Sequence, residues 1–237
     1  MVRLIQKSGY IKAGSASGYM KYIATRERVE KLEGSGPVTK GQQQLIENLL
    51  RDFPDANELD EYSSYRLAPT TGNASALISA VLDANAYKFT DRDGYMKYIA
   101  IRPRAERHGE HGLFSNRSVS LDAALKEVEV HIGNVWTFIW SLRREDAARL
   151  GYDHAESWRK LIKAHQVEIA EAMKIPPNQL RWYAAFHDEG HHPHVYAMVW
   201  SADPKRGRLT QEGVKMIRSK LTNDIFRDEM YTLYQEK

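Results

Sequence analysis

Histidine is the residue type whose spacing first suggests chemistry in this chain. Four of the nine histidines fall within eight residues, in the stretch RWYAAFHDEGHHPHVYAMVWS that begins at residue 181. They are His187, His191, His192 and His194. Imidazole is the commonest metal ligand among side chains, and it also changes charge near neutral pH. The cluster therefore predicts either a metal site or a group of solvated side chains in a polar loop.

Two apolar, aromatic-rich runs flank the polar segment DEGHHP, which is typical of two β-strands joined by a loop. If the strands pair symmetrically, His187 ends the first strand and His194 begins the second, directly opposite it. The Cβ atoms of opposed residues lie roughly 4.5–5.5 Å apart, which is close enough for two imidazoles to reach one ion. Because side chains alternate between faces, Tyr196 shares the face of His194. The pattern predicts that these three side chains converge, with His191 and His192 above them in the loop.

A zinc-peptidase motif is the competing interpretation, since His187 and His191 are four residues apart. That motif needs a helix and a glutamate directly after the first histidine. Here Asp188 stands at that position, and Gly190 and Pro193 oppose a helix. We therefore set the zinc hydrolase aside, and a loop of solvated histidines remains the alternative to a metal site.

Composition limits the class of protein. The chain has 237 residues, of which 42% are hydrophobic, enough for a substantial core in one large domain or two small ones. It contains no cysteine, so disulfides and thiolate chemistry are excluded, and it has no apolar run of transmembrane length. The start lacks the apolar core of a signal peptide, which favours a cytoplasmic protein. The net charge of +3 is compatible with a nucleic-acid partner.

The rest of the chain predicts a mixture of strands and helices. The predicted strands are 2–12, 135–142 and the two arms of the hairpin, and the predicted helices are 17–32, 39–52, 74–87, 121–131, 145–150, 155–173 and 210–235. Two segments predict loops, because residues 55–72 are polar and residues 108–115 are rich in glycine and histidine.

One segment of the chain occurs twice. Residues 18–30 read GYMKYIATRERVE and residues 94–106 read GYMKYIAIRPRAE, with ten of thirteen positions identical. Two copies do not make a solenoid. Each copy places two tyrosines at i and i+3 on one helix face, with arginines nearby. Most of the apolar positions predict a core stripe, while tyrosine beside basic residues is also typical of a site that handles phosphate.

The hairpin resembles the His-x-His signature of the HUH endonucleases, and WYAAFHDEGHHPHVYAMVWS resembles the third motif of conjugative relaxases. The preceding run SLRREDAARLGYDHAESW is similar to the MobL branch of the MobA/MobL relaxases. This resemblance covers nearly the whole chain. It implies an α+β fold with a central antiparallel sheet flanked by helices. It also implies a single relaxase domain over 1–237 with a helical insertion at about 39–92, as the N-terminal part of a longer protein.

The activity implied by the resemblance is metal-dependent nicking of one DNA strand at the transfer origin of a plasmid or mobile element. The expected partners are single-stranded DNA, accessory relaxosome proteins and a coupling protein. The expected cofactor is Mg²⁺ or Mn²⁺. A rolling-circle replication initiator of the HUH class is the related alternative. A DNA-binding protein whose nuclease site has decayed is an alternative from another class.

Residue by residue, His187 and His194 match two metal-binding histidines, and Tyr196 stands where the family usually has a third. A neutral phenol is a poor ligand for these ions, because its pKa is near 10. The resemblance therefore leaves His192 or Glu189 as substitutes. The nucleophile matches Tyr22, with Tyr19 and Tyr98 as alternatives. Asp188 and Glu189 are candidate bases for its proton. Basic residues are candidate contacts to DNA phosphates, namely Arg26, Arg28, Arg143, Arg144, Lys205 and Arg206.

Overall fold

A computed structural model of the chain describes residues 4–11, 34–85, 88, 91–101, 105–107, 109–188 and 192–227. Across these residues it has a five-stranded antiparallel sheet with surrounding helices, which confirms the predicted α+β class. The predicted helix at 17–32 lies outside the described residues. Among the helices that are described, none combines the length and the apolar character needed to cross a membrane.

The elements follow one another as the sequence pattern predicts in most places. The strands are β1 (Ile5–Ile11), β2 (Leu113–Phe114), β3 (Val135–Ser141), β4 (Leu180–His187) and β5 (His194–Ser201). The α-helices of the described residues are α1 (Lys40–Asp52), α2 (Asp60–Leu67), α3 (Thr71–Asn85), α4 (Arg92–Ile101), α5 (Leu121–Glu129), α6 (Arg144–Leu150), α7 (Ala155–Ala164), α8 (Gln166–Ala172) and α9 (Gln211–Ile225). Short 3-10 turns occupy Pro54–Glu58 and Pro177–Gln179.

The sheet has the strand order β1-β3-β5-β4-β2, and each neighbouring pair is antiparallel. β3 and β5 lie in the interior of the sheet, and nearly all of their residues are buried. This explains why their sequences VWTFIWS and HVYAMVWS are almost continuously apolar instead of alternating, since both faces of these strands are covered. The hairpin therefore forms part of the centre of the sheet.

One face of the sheet packs on α6, α7, α8 and α9 and forms the main core. Phe138 and Trp140 stack there with ring centroids 5.1 Å apart, and Trp158 from α7 is fully buried beside the sheet. The indole N–H of Trp158 donates to the carbonyl oxygen of Tyr152 at 2.8 Å, so its one polar atom is satisfied. Burying each such large apolar side chain stabilises the fold by about 1.5–3 kcal/mol.

The other face, here called the histidine face, carries His187, His194 and Tyr196 by strand alternation. Helices α4 and α5 lie on it. The Tyr183 hydroxyl donates to the Glu127 carboxylate of α5 at 2.6 Å, and the carbonyl oxygen of Ile99 in α4 accepts a hydrogen bond from His187. These two helices thus cover the face from which the hairpin histidines project.

The chain divides into two compact units, residues 1–15 with 91–237, and residues 16–90. In the second unit, α1 and α3 share a small core with α2. α1 begins with a capping box, in which the side chains of Thr39 and Gln42 bond to each other's backbone N–H. The buried amide of Gln42 also donates to Ser75 at 3.0 Å, which joins α1 to α3. A helical insertion at about 39–92 within a single relaxase domain stays a prediction.

Three local predictions were wrong. Residues 55–72, predicted as a loop, contain helix α2, which has no buried residue and therefore carries almost no apolar signal. The predicted helix 155–173 is two helices that meet at His165, where the backbone leaves helical geometry and the imidazole lies 2.9 Å from the Asp224 carboxylate of α9. Strand β2 was missed because two residues are too short for a periodic pattern.

Candidate functional site

The β4–β5 hairpin closes in the symmetric register that the sequence predicts. His187 and His194 are Cα partners at the loop end of the pair, and Tyr196 is the partner of Ala185 two positions further in. The ring centroids of the two histidines lie 6.5 Å apart. The ring of Tyr196 lies 4.7 Å from His187 and 5.1 Å from His194. The predicted convergence of these three side chains on one face is confirmed.

The imidazole of His187 is fully buried and held by helix α4. Its Nε2 lies 2.8 Å from the carbonyl oxygen of Ile99. A carbonyl oxygen only accepts, so Nε2 carries the hydrogen and Nδ1 carries the lone pair of the neutral ring. The last four carbonyls of an α-helix lack partners within the helix. Ile99 lies in the last turn of α4, so His187 caps one of these carbonyls.

The imidazole of His194 is oriented in the same manner. Its Nδ1 donates to the carbonyl oxygen of His192, so Nε2 carries the lone pair. That nitrogen accepts a hydrogen bond from the Tyr196 hydroxyl, 3.1 Å away. Tyr196 is fully buried, so its phenol is fixed against both imidazoles.

The two histidines fit a divalent ion. A histidine that binds a metal usually donates its other ring N–H to a carbonyl or carboxylate, and both His187 and His194 make that bond to a backbone carbonyl. An ion at this site would bind His187 Nδ1 and His194 Nε2, and it would replace the hydrogen bond that His194 Nε2 accepts from the Tyr196 hydroxyl. Tyr196 does not fit as a third ligand, since its hydroxyl donates its hydrogen to His194 Nε2. Within the described part of the chain, no group of three or more His, Cys, Asp or Glu side chains is placed to hold a metal.

Ser141 is a residue of this site that the sequence did not reveal. It ends β3 and is the Cα partner of His194, so it also lies on the histidine face. The side chain is buried, with 6% of the residue exposed, and its hydroxyl makes no hydrogen bond to any residue that the structure describes. The strand assignment of 135–142 was correct, but the order of the strands in the sheet carries no local signal, and that order places Ser141 here.

The structure brings one predicted base and one predicted DNA contact together. Asp188 directly follows His187, and its carboxylate lies 2.6 Å from the Arg144 guanidinium at the start of α6. Both side chains are partly exposed, so the ion pair contributes at most about 1 kcal/mol to stability. The ion pair places the Asp188 carboxylate against Arg144, directly beside the site.

The other predicted DNA contacts that the structure describes lie near the two ends of the hairpin. Arg143 is exposed two residues after Ser141, at the histidine end. Lys205 and Arg206 are exposed in the turn that follows β5, at the far end of a strand roughly 23 Å long. Their contact with DNA stays a prediction.

The candidate nucleophiles are only partly within the described residues. Tyr22 and Tyr19 lie outside them, as do Arg26, Arg28, Glu189 and His191. Tyr98 lies in α4 and is half-buried, directly before Ile99. The second copy of the repeat thus forms the helix that orients His187. This role rests on a backbone carbonyl, which every residue type has, so the sequence could not indicate it.

Comparison with known proteins gives one family. The family model described as MobL relaxases matches residues 1–237, the whole chain. No curated protein and no solved structure matches.

Proposed function

The chain belongs to the MobL relaxases, a family of DNA-nicking enzymes, and from that premise we propose that it nicks one strand at a transfer origin by transesterification. The observation that carries the proposal is the His187–His194 pair, in which each imidazole is oriented by a backbone carbonyl. The substrate is single-stranded DNA of a plasmid or mobile element in the cytoplasm. Accessory relaxosome proteins and a coupling protein are the proposed partners.

The reaction needs a tyrosine hydroxyl as the attacking group. The Tyr22 oxygen loses its proton and attacks phosphorus, the bond from phosphorus to the 3′ oxygen breaks, and that oxygen leaves and takes up a proton. The products are a 5′-phosphotyrosyl link and a free 3′-hydroxyl. The covalent link retains the energy of the phosphodiester, so the reverse reaction rejoins the strand. Tyr19 and Tyr98 are the alternative nucleophiles.

The two histidines would hold Mg²⁺ or Mn²⁺ through His187 Nδ1 and His194 Nε2. When bound there, the ion would supply positive charge that stabilises the charge developing on the scissile phosphate. The buried position of His187 and its bond to Ile99 keep this ring in one tautomer, which avoids reorganisation during the reaction. Asp188, whose Oδ1 forms the ion pair with Arg144, and Glu189 are the candidate bases for the tyrosine proton.

The test is a covalent adduct assay with end-labelled single-stranded oligonucleotides tiled across the DNA beside the gene of this chain. The full chain with Mn²⁺ should nick one oligonucleotide and stay attached to its 5′ side, and EDTA should abolish both. His194→Ala should abolish them too. The matched control is His154→Ala, which changes an exposed histidine at the start of α7 and should retain the adduct. Full-rate nicking in EDTA would refute the metal-assisted reaction.

Tyr196 favours a second candidate, a DNA-binding protein whose nuclease site has decayed. The hydroxyl of Tyr196 takes up the His194 nitrogen that would face an ion. On this hypothesis the chain binds the same oligonucleotide without nicking it at any concentration of Mg²⁺ or Mn²⁺. The adduct assay and a binding assay on one oligonucleotide separate the two functions.

A further inference from the structure

Three side chains form a row across three neighbouring strands of the sheet. Ser141 on β3 is the Cα partner of His194 on β5, and His194 is the partner of His187 on β4. Paired residues of antiparallel strands project from the same face, with Cβ atoms roughly 4.5–5.5 Å apart. The hydroxyl of Ser141 is thus the oxygen that neighbours the histidine pair on its β3 side.

This hydroxyl has an unusual environment. It is buried, and it makes no hydrogen bond to a described residue. A buried hydroxyl without a partner is unfavourable, and such groups in native proteins are commonly satisfied by a bound water molecule or ion.

The ligand chemistry of the site calls for an additional polar contact. The third position of the family's motif is Tyr196, whose hydroxyl donates to His194 Nε2. Mg²⁺ and Mn²⁺ favour oxygen ligands, and Mg²⁺ in particular keeps several of its own waters when it binds to proteins. Removing a side chain that hydrogen-bonds to a metal ligand typically weakens metal binding or lowers activity about 10–100-fold.

We propose that a water molecule takes the place of a third protein ligand on the divalent cation of this site, and that this water donates a hydrogen bond to the Ser141 hydroxyl. Ser141 is thus a positioning residue, which acts on the ion through that water. The inference rests on the proposed metal role of His187 and His194. It assigns to the end of β3 a part in cation binding.

The experiment is a titration of the metal-free full chain with Mn²⁺ by isothermal calorimetry, without DNA. Ser141→Ala should raise the Kd for Mn²⁺ about tenfold, and Ser141→Thr, which keeps the hydroxyl, should restore the affinity. Ser201→Ala is the matched control, because it removes a buried serine hydroxyl at the far end of β5, and its Kd should equal that of the parent chain. The metal-free melting temperature of Ser141→Ala should equal or exceed that of the parent chain, since an unsatisfied hydroxyl is removed.

His194→Ala separates this inference from the proposed function. If His194→Ala weakens Mn²⁺ binding and Ser141→Ala leaves it unchanged, the role of Ser141 is overturned while the metal site stands. If neither variant changes the Kd, the proposed metal role itself fails. A lower metal-free melting temperature with an unchanged Kd would make Ser141 a packing residue and would also overturn the inference.

Discussion

His187 donates its Nε2–H to the carbonyl oxygen of Ile99 across 2.8 Å, and this bond joins the hairpin to the helix formed by the second copy of the repeat. It satisfies a carbonyl at the end of α4 and selects the tautomer of the imidazole. Stability and the proposed metal binding therefore depend on the same hydrogen bond.

Replacing His187 should destabilise the chain even without metal. His187→Ala leaves the carbonyl of Ile99 buried without its partner, which costs about 1–3 kcal/mol in the free energy of unfolding. His187→Gln keeps an N–H donor and should recover part of the loss. Urea unfolding of the EDTA-treated protein measures this, with His154→Ala as an exposed control expected within about 0.5 kcal/mol of the parent chain. Equal stabilities of His187→Ala and the parent chain would contradict the orienting role of the bond.

The nucleophile is predicted to be Tyr22. Removal of the phenolic oxygen removes the attacking atom, so Tyr22→Phe should eliminate the covalent adduct and leave DNA affinity nearly unchanged. Tyr98→Phe should retain the adduct, because it leaves the Tyr22 oxygen in place. Peptide mapping of the trapped adduct decides between them, and a DNA-linked peptide that contains Tyr98 would show that the second copy carries the reaction.

A third imidazole should strengthen metal binding. Tyr196→His removes the hydroxyl that donates to His194 Nε2 and adds a nitrogen ligand on the same face, so the Kd for Mn²⁺ should fall about tenfold. Tyr196→Phe removes the hydroxyl but adds no ligand, so its gain should be smaller. Calorimetric titration of both variants is the measurement. A higher Kd for Tyr196→His than for the parent chain would mean that the phenol itself contributes to Mn²⁺ binding.

His131 should make stability depend on pH. Burial, and next the positive charge of Arg92, hold the pKa of His131 below its ordinary value of 6.5, although Glu127 opposes the shift. The neutral ring is favoured in the folded chain, so this stability is present above pH 6.5 and is lost as the pH falls through the lower folded pKa. His131→Gln should therefore lose less stability than the parent chain between about pH 7.5 and about pH 5.5 in urea unfolding. Identical losses in both proteins would refute this role of His131.

The turn after β5 is predicted to contact DNA. Lys205 and Arg206 are exposed there, and each phosphate contact with single-stranded DNA contributes about 0.7 to the slope of log affinity against log salt. Lys205→Ala and Arg206→Ala should each weaken binding and lower this slope by roughly that amount. Fluorescence anisotropy at several salt concentrations gives the slope. Lys163→Ala, at an exposed lysine of α7, is the control expected to leave the slope unchanged. If Lys205→Ala and Arg206→Ala also show the slope of the parent chain, the turn is not part of the DNA interface.

The sequence alone determined the hairpin and the face on which His187, His194 and Tyr196 converge. That was possible because strand alternation and the pairing across a short loop depend only on nearby residues. It also predicted the strands β1 and β3 from their apolar residues, and helices such as α1 and α9, whose apolar positions follow a regular period. The polar helix α2 and the two-residue strand β2 gave no such period, so they were missed.

The tertiary structure alone decided what surrounds the histidine pair. The order of the strands brings Ser141 beside His194, from a position 53 residues earlier in the chain. The packing of α4 on the histidine face offers the carbonyl of Ile99 to His187, and the fold gives Asp188 its partner Arg144. Backbone carbonyls occur at every residue, and small hydroxyls and arginines occur at many positions. The sequence therefore does not show which of these groups face the site, because the packing of the sheet and its helices selects them.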